Sequence, residues 1–139
     1  MNEDLPDDLM STPVTPQTYA DVVAHLVPEE DRVRGCVVLI LIGADGLIRQ
    51  PVLIEDAGPD DARHCGDFLA QLATLLAETD TFVLFARGRG GAAYLAHSDV
   101  WWERTLTEHL GDRVLAGYLA VPGEVCNLAD FPRDLPETG

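Results

Sequence analysis

The chain has 139 residues, enough for one domain with one core, and carries 24 acidic against 9 basic residues, a formal net charge of −15. Such a field argues against direct nucleic-acid binding, which depends on Lys and Arg neutralising phosphates. All nine basic residues are Arg, so Schiff-base, lysine-nucleophile and lysine-bearing phosphate-loop chemistries are excluded.

Residues 1–16 are rich in acidic residues and proline (Glu3, Asp4, Pro6, Asp7, Asp8, Pro13, Pro16), with little to bury, and read as a mobile tail. They contain neither the basic start nor the apolar segment of a secretory signal. A domain over residues 17–128 follows. Thr18 can cap a short helix whose Val22, Val23 and Leu26 share a face and which ends before Pro28. Residues 29–35 read as a polar turn. Residues 36–42 are an unbroken aliphatic run between Gly35 and Gly43, expected as a central strand buried on both faces. Ala44-Asp45-Gly46 supplies a hairpin turn, and residues 47–55 return as a strand in which Pro51 demands an edge or a bulge.

Pro59-Asp60-Asp61 opens a helix with an acidic first turn, and Cys65, Phe68, Leu69, Leu72, Leu75 and Leu76 make one broad apolar face along it. Residues 81–86 form a second buried strand. Gly88, Gly90 and Gly91 then permit a reversal, residues 92–96 pair back as a short strand, and Ser98 caps a helix to Leu110 with Trp102, Leu106 and Leu110 aligned and Gly111 as its stop. Val114–Val121 is the last strand, closed by Pro122-Gly123. The expected fold is α/β (α+β): a single-domain mixed sheet of four to five strands, two main helices and a short N-terminal helix.

The Arg87-Gly88-Arg89-Gly90-Gly91 turn is the first candidate site. Glycines let backbone N–H groups approach a phosphate, and Arg87 and Arg89 would add charge. Phosphate loops, however, join a strand directly to a helix, and here several residues precede the Ser98 cap, so a hairpin with two solvated arginines is the simpler reading. His64, Asp67 and Gln71 fall on one polar side of the first long helix, but a metal needs three or more convergent ligands, and neither HExxH nor His-x-His is present. His97, Ser98 and Asp99 are neighbours at a helix start, which do not point at one another as a triad requires. The three cysteines, Cys36, Cys65 and Cys126, are widely spaced, forming neither a metal pair nor a disulfide framework. Trp101 and Trp102 diverge by about 100° on a helix, so one can face outward beside Arg87, Arg89 and Arg104, the residue types enriched at protein interfaces.

The strand and helix order over residues 36–125 resembles the JAB metalloprotease-like fold of RadC-type proteins. By that resemblance residues 86–91 take the place of the family's His-x-His-Pro segment and Ser98-Asp99 that of its downstream Ser and Asp. Both histidines are replaced, which implies a metal-less, non-catalytic member. The same order is similar to uncharacterised actinobacterial domains. Residues 129–139 read as a tail whose Leu135-Pro136-Glu137-Thr138-Gly139 resembles the LPxTG sortase signal. The secretion signal, apolar span and basic end that accompany it are missing, so wall anchoring is not expected.

The functional expectation is a cytoplasmic, non-enzymatic binding or protein-interaction module without metal or cofactor. It recognises a protein, or a second copy as a homodimer, through Arg87, Arg89, Trp101, Trp102 and Arg104, and neither membrane nor nucleic acid. Two alternatives are a small enzyme or pseudoenzyme holding an anionic ligand at Arg87 and Arg89, and an acidic polyanion mimic of a basic protein's ligand.

Overall fold

The structure, a computed structural model, describes residues 12–55 and 66–131. β1 (Cys36–Gly43) is an inner strand of its sheet, where Val37, Val38, Ile40 and Ile42 favour the pleated conformation and all eight residues are buried. The Asp45-Gly46 turn returns the chain as β2 (Ile48–Glu55), antiparallel to β1 with a bulge at Leu41/Ile42. On its other side β1 pairs antiparallel with β3 (Thr81–Gly88), β3 pairs parallel with β4 (Val114–Val121), and β4 pairs antiparallel with the short β5 (Glu124–Asn127). The order β2-β1-β3-β4-β5 is a mixed sheet, as expected, with Pro51 on an edge strand, where its missing N–H breaks no ladder bond. β5 is four residues long and its strand signal too short to stand out from the turn before it.

Helices cover both faces. α1 (Tyr19–Leu26) lays Val22 and Val23 over Val38, Ile40, Leu84, Ala86 and Ala120. On the opposite face α3 (Gly66–Thr79) and α4 (His97–Leu110) pack Leu69, Leu72, Leu76, Trp102, Leu106 and Leu110 on Val37, Leu39, Phe85 and Leu119. α4 is the crossover joining parallel β3 and β4, which a parallel pair requires. Gly117 sits under this layer: a Cβ there would lie 2.9 Å from the Phe85 ring.

Several expectations need correction. Residues 29–34, read as a turn, form α2 (Glu29–Arg34), with Glu29, Glu30 and Asp31 in its first turn and Arg32 and Arg34 in its last, a charge order that suits the helix dipole. Residues 92–96 make no strand. The α3 face is narrower than expected: Phe68 and Leu75 are 41% and 49% exposed, because residues one step off the Leu69, Leu72 and Leu76 stripe rotate outward. α4 begins one residue before Ser98, with Ala96 as its cap position. The start expected at Pro59, with His64 and Cys65, lies outside the described residues, as does the LPETG end. Val14 and Phe131, from the two expected tails, both pack on the core. Among the described residues no helix is long and apolar enough to cross a membrane.

Candidate functional site

Side chains two apart on a strand share a face, so Arg87 and Arg89, at and just beyond the end of β3, both turn toward α4. Gly88 between them turns the other way, against α2; a Cβ there would lie 2.6 Å from Cys36 Sγ, so only glycine fits. The Arg89 N–H still donates to the Ala120 carbonyl (3.1 Å), which extends the β3–β4 edge by one bond.

The two guanidinium groups meet Asp99, which is fully buried in the first turn of α4. Arg87 Nε donates to Asp99 Oδ1 at 3.3 Å, and Arg89 Nε donates to Oδ1 and Oδ2, each at 3.1 Å. Asp99 Oδ2 also accepts the Ala96 N–H at 2.9 Å. One carboxylate therefore caps the helix, at the end where the dipole favours negative charge, and accepts from both guanidinium groups. Burial lowers the pKa of Arg87 and the Asp99 charge opposes that shift. Arg87 Nη1 further donates to the Cys36 and Gly88 carbonyls, each at 3.4 Å.

Arg89 also organises the loop that follows. Nη1 donates to the Gly90 (2.9 Å) and Ala92 (3.2 Å) carbonyls and Nη2 to that of Tyr94, while its guanidinium carbon stands 4.6 Å from the centre of the Tyr94 ring. This is why residues 92–96 are not a strand: a guanidinium, with its planar fork of donors, takes carbonyls a ladder would use. The loop presents Tyr94 at 57% exposure, and Gly90 lies against the backbone of Val33 in α2, itself 64% exposed.

Of the residues expected to form a recognition surface, Arg87 and Arg89 are thus brought together but turned inward, and the expected solvated arginines are not found. Trp102 is wholly buried and its Nε1–H has no hydrogen-bond partner among the described residues, so it serves the core. Trp101 is half-buried against the same core, and Arg104 is exposed on α4. Cys36 is buried, with its thiol pushed up by desolvation first and Asp31 next. A separate cavity of about 310 Å³ opens between α4 and the first half of β4, lined by Phe85, Glu103, Thr107, Leu115 and Asn127 among others; none of Arg87, Arg89 or Asp99 lines it.

A residue that sequence reasoning missed is Arg32, 4% exposed on the opposite side of the same sheet end. Its Nε donates to the Val27 carbonyl (2.9 Å), Nη1 to that of Val121 (2.9 Å) and Nη2 to that of Ala24 (3.2 Å), with Glu29 Oε2 3.3 Å from Nη1. Three acidic residues directly after Pro28 were the available signal for the helix that carries it. No protein-family model matches this chain, and no curated protein matches it significantly.

Proposed function

We propose that the chain is a protein-interaction module whose contact surface is the 89–96 loop and the adjoining end of α2, with Tyr94 and Val33 as its outward residues. The observation that carries this reading is the bracing of the loop by Arg89. An irregular segment held in one conformation on a rigid sheet, with an aromatic ring outward, loses little conformational freedom on binding, and aromatic residues dominate the energetics of such contacts. In this reading Arg87, Arg89 and Asp99 build the surface and do not touch the partner. The position at the start of α4 that an anionic ligand would take is held by the Asp99 carboxylate, which is why the anion-binding alternative ranks second. The resemblance to metal-less JAB/RadC-like domains belongs to this proposal, with residues 86–91 in the place of the family's His-x-His-Pro segment and Ser98-Asp99 in that of its downstream Ser and Asp.

The test is affinity capture from the native host's lysate with the wild-type chain and Tyr94→Ala side by side. A specific partner is expected on the wild type, at least tenfold depleted on Tyr94→Ala and retained when salt is raised. Equal recovery on both chains would overturn the reading. Loss of the partner with salt alone would favour the polyanion mimic, because exposed charge pairs are screened within about 10 Å at 0.1 M. Heat from calorimetric titration with nucleotides or sugar phosphates would favour the anionic ligand.

A further inference from the structure

α3 and α4 lie side by side on one face of the sheet, yet their outer surfaces differ in kind. α4 shows solvent Arg104 and Glu108, the charged exterior usual for a surface helix. α3 has no charged residue over residues 68–77, ten positions in a chain of net charge −15. Its exposed positions there are Phe68, Ala70, Gln71, Thr74, Leu75 and Ala77. The Thr74 hydroxyl donates to the Ala70 carbonyl at 3.3 Å, which leaves Gln71 as the one side chain of the stripe with a polar group not engaged by its own helix. Charge returns at both ends, with Asp67 before the stripe and Glu78 and Asp80 after it.

We propose that this outer face of α3 is a self-association surface, and that its occupant is α3 of a second copy packed antiparallel in a two-fold dimer. The charge distribution argues for this occupant. Two chains of −15 repel wherever their acidic surfaces meet, so they can approach only through an uncharged patch, and a cationic partner would find no carboxylate here to pair with. The stripe is also self-complementary. Phe68 and Leu75 are seven residues, about 10 Å, apart along the helix and stand on either side of Gln71. A two-fold axis near Gln71 therefore lays Phe68 of each copy on Leu75 of the other, the reciprocal contact that an isologous interface requires. This surface is on a different element from the 89–96 loop, and the inference does not rest on the function proposed above.

Antiparallel packing brings Asp67 of one copy toward Glu78 of the other, so the dimer should tighten as salt rises, opposite to an assembly held by ion pairs. The experiment is sedimentation velocity from micromolar to millimolar chain at 0.05 and 0.5 M NaCl, on the full chain and on Leu75→Glu and Glu108→Lys, with far-UV circular dichroism confirming the fold of each. Expected are twice the chain mass for wild type and Glu108→Lys, a dissociation constant at least threefold lower at the higher salt, and a single-chain mass for folded Leu75→Glu. Should Leu75→Glu misfold, Gln71→Glu, at an exposed position, should dissociate the dimer in its place. A wild-type chain that stays single to millimolar concentration, a dimer that survives both folded variants, or one that weakens with salt would overturn the proposal.

Discussion

Two clusters of buried arginine fasten the same end of the sheet from opposite faces, and they do so with different acceptors. On the α2 side Arg32 gives its donors to three backbone carbonyls, and its carboxylate partner among the described residues, Glu29, is solvent-exposed. On the α4 side Arg87 and Arg89 converge on the fully buried carboxylate of Asp99. Carbonyls neutralise no charge, so Arg32 binds three chain segments together while its charge is met by Glu29 at the surface; the Asp99 site is an electrostatic unit in which each member depends on the others. Burying an arginine therefore does not make it a ligand site. In both clusters the guanidinium is a cross-link, one for α1, α2 and the end of β4, the other for the start of α4 and its preceding loop.

Breaking the cross-links should rank them. The largest loss is expected from Asp99→Ala, which removes the buried carboxylate that Arg87 and Arg89 share and a helix cap; breaking a buried ion pair from one side costs about 3–5 kcal/mol, read as a fall in the urea midpoint. Arg32→Met keeps the volume and leaves carbonyls unsatisfied, and a loss of about 2–3 kcal/mol is expected, since bonds from charged donors contribute that much each at most and water can reach some of the freed carbonyls. If Arg32→Met proved costlier than Asp99→Ala, the contrast between the two clusters would be reversed. Arg89→Lys separates charge from geometry: the ammonium can still meet Asp99 but cannot span the Gly90, Ala92 and Tyr94 carbonyls, so faster amide exchange confined to residues 90–96 is expected, with a stability change of about 1 kcal/mol. Tyr94→Ala, which loses the exposed ring's contact with the Arg89 guanidinium, should alter stability by no more than about 1 kcal/mol while removing the proposed partner contact.

The smallest effect is a pH dependence. The Cys36 thiol has a folded pKa raised by burial, so its proton is held more tightly in the native state. Its contribution is present below the unfolded thiol value of about 8.5 and is lost as pH rises through the raised folded value. Thermal unfolding of wild type should therefore decline on the alkaline side, and Cys36→Ala should flatten part of that decline. A slope identical in both chains would remove Cys36 from the account.

The two clusters also differ in how far they could be read from the sequence. The strand preceding Arg87, the Trp102, Leu106 and Leu110 stripe, and the mixed sheet with Pro51 on its edge follow from hydrophobic period and turn chemistry, which are local. Ser98 and Asp99 announced a helix start, which the structure places one residue earlier, with Ala96 as the cap position, while Arg87 and Arg89 read only as a solvated turn. What could not be read was that the three meet, because the loop between them has no period and takes its shape from Arg89 itself. Arg32 was still less legible: its acceptors on Val121, Val27 and Ala24 are backbone atoms, which no side-chain pattern announces. Phe68 and Leu75 fit a broad apolar face by spacing alone, and only the packed neighbours show that the buried stripe is narrower.

The central claim, that Arg89 and Asp99 form an internal cross-link that shapes the loop, is tested most directly by a double-mutant cycle in urea unfolding with Arg89→Met, Asp99→Asn and the pair. Asn keeps an oxygen for the Ala96 N–H, so the cycle isolates the charged interaction. A coupling of about 2 kcal/mol is expected, within the range for contacting residues in one hydrogen-bonded network; a coupling indistinguishable from zero would contradict the account.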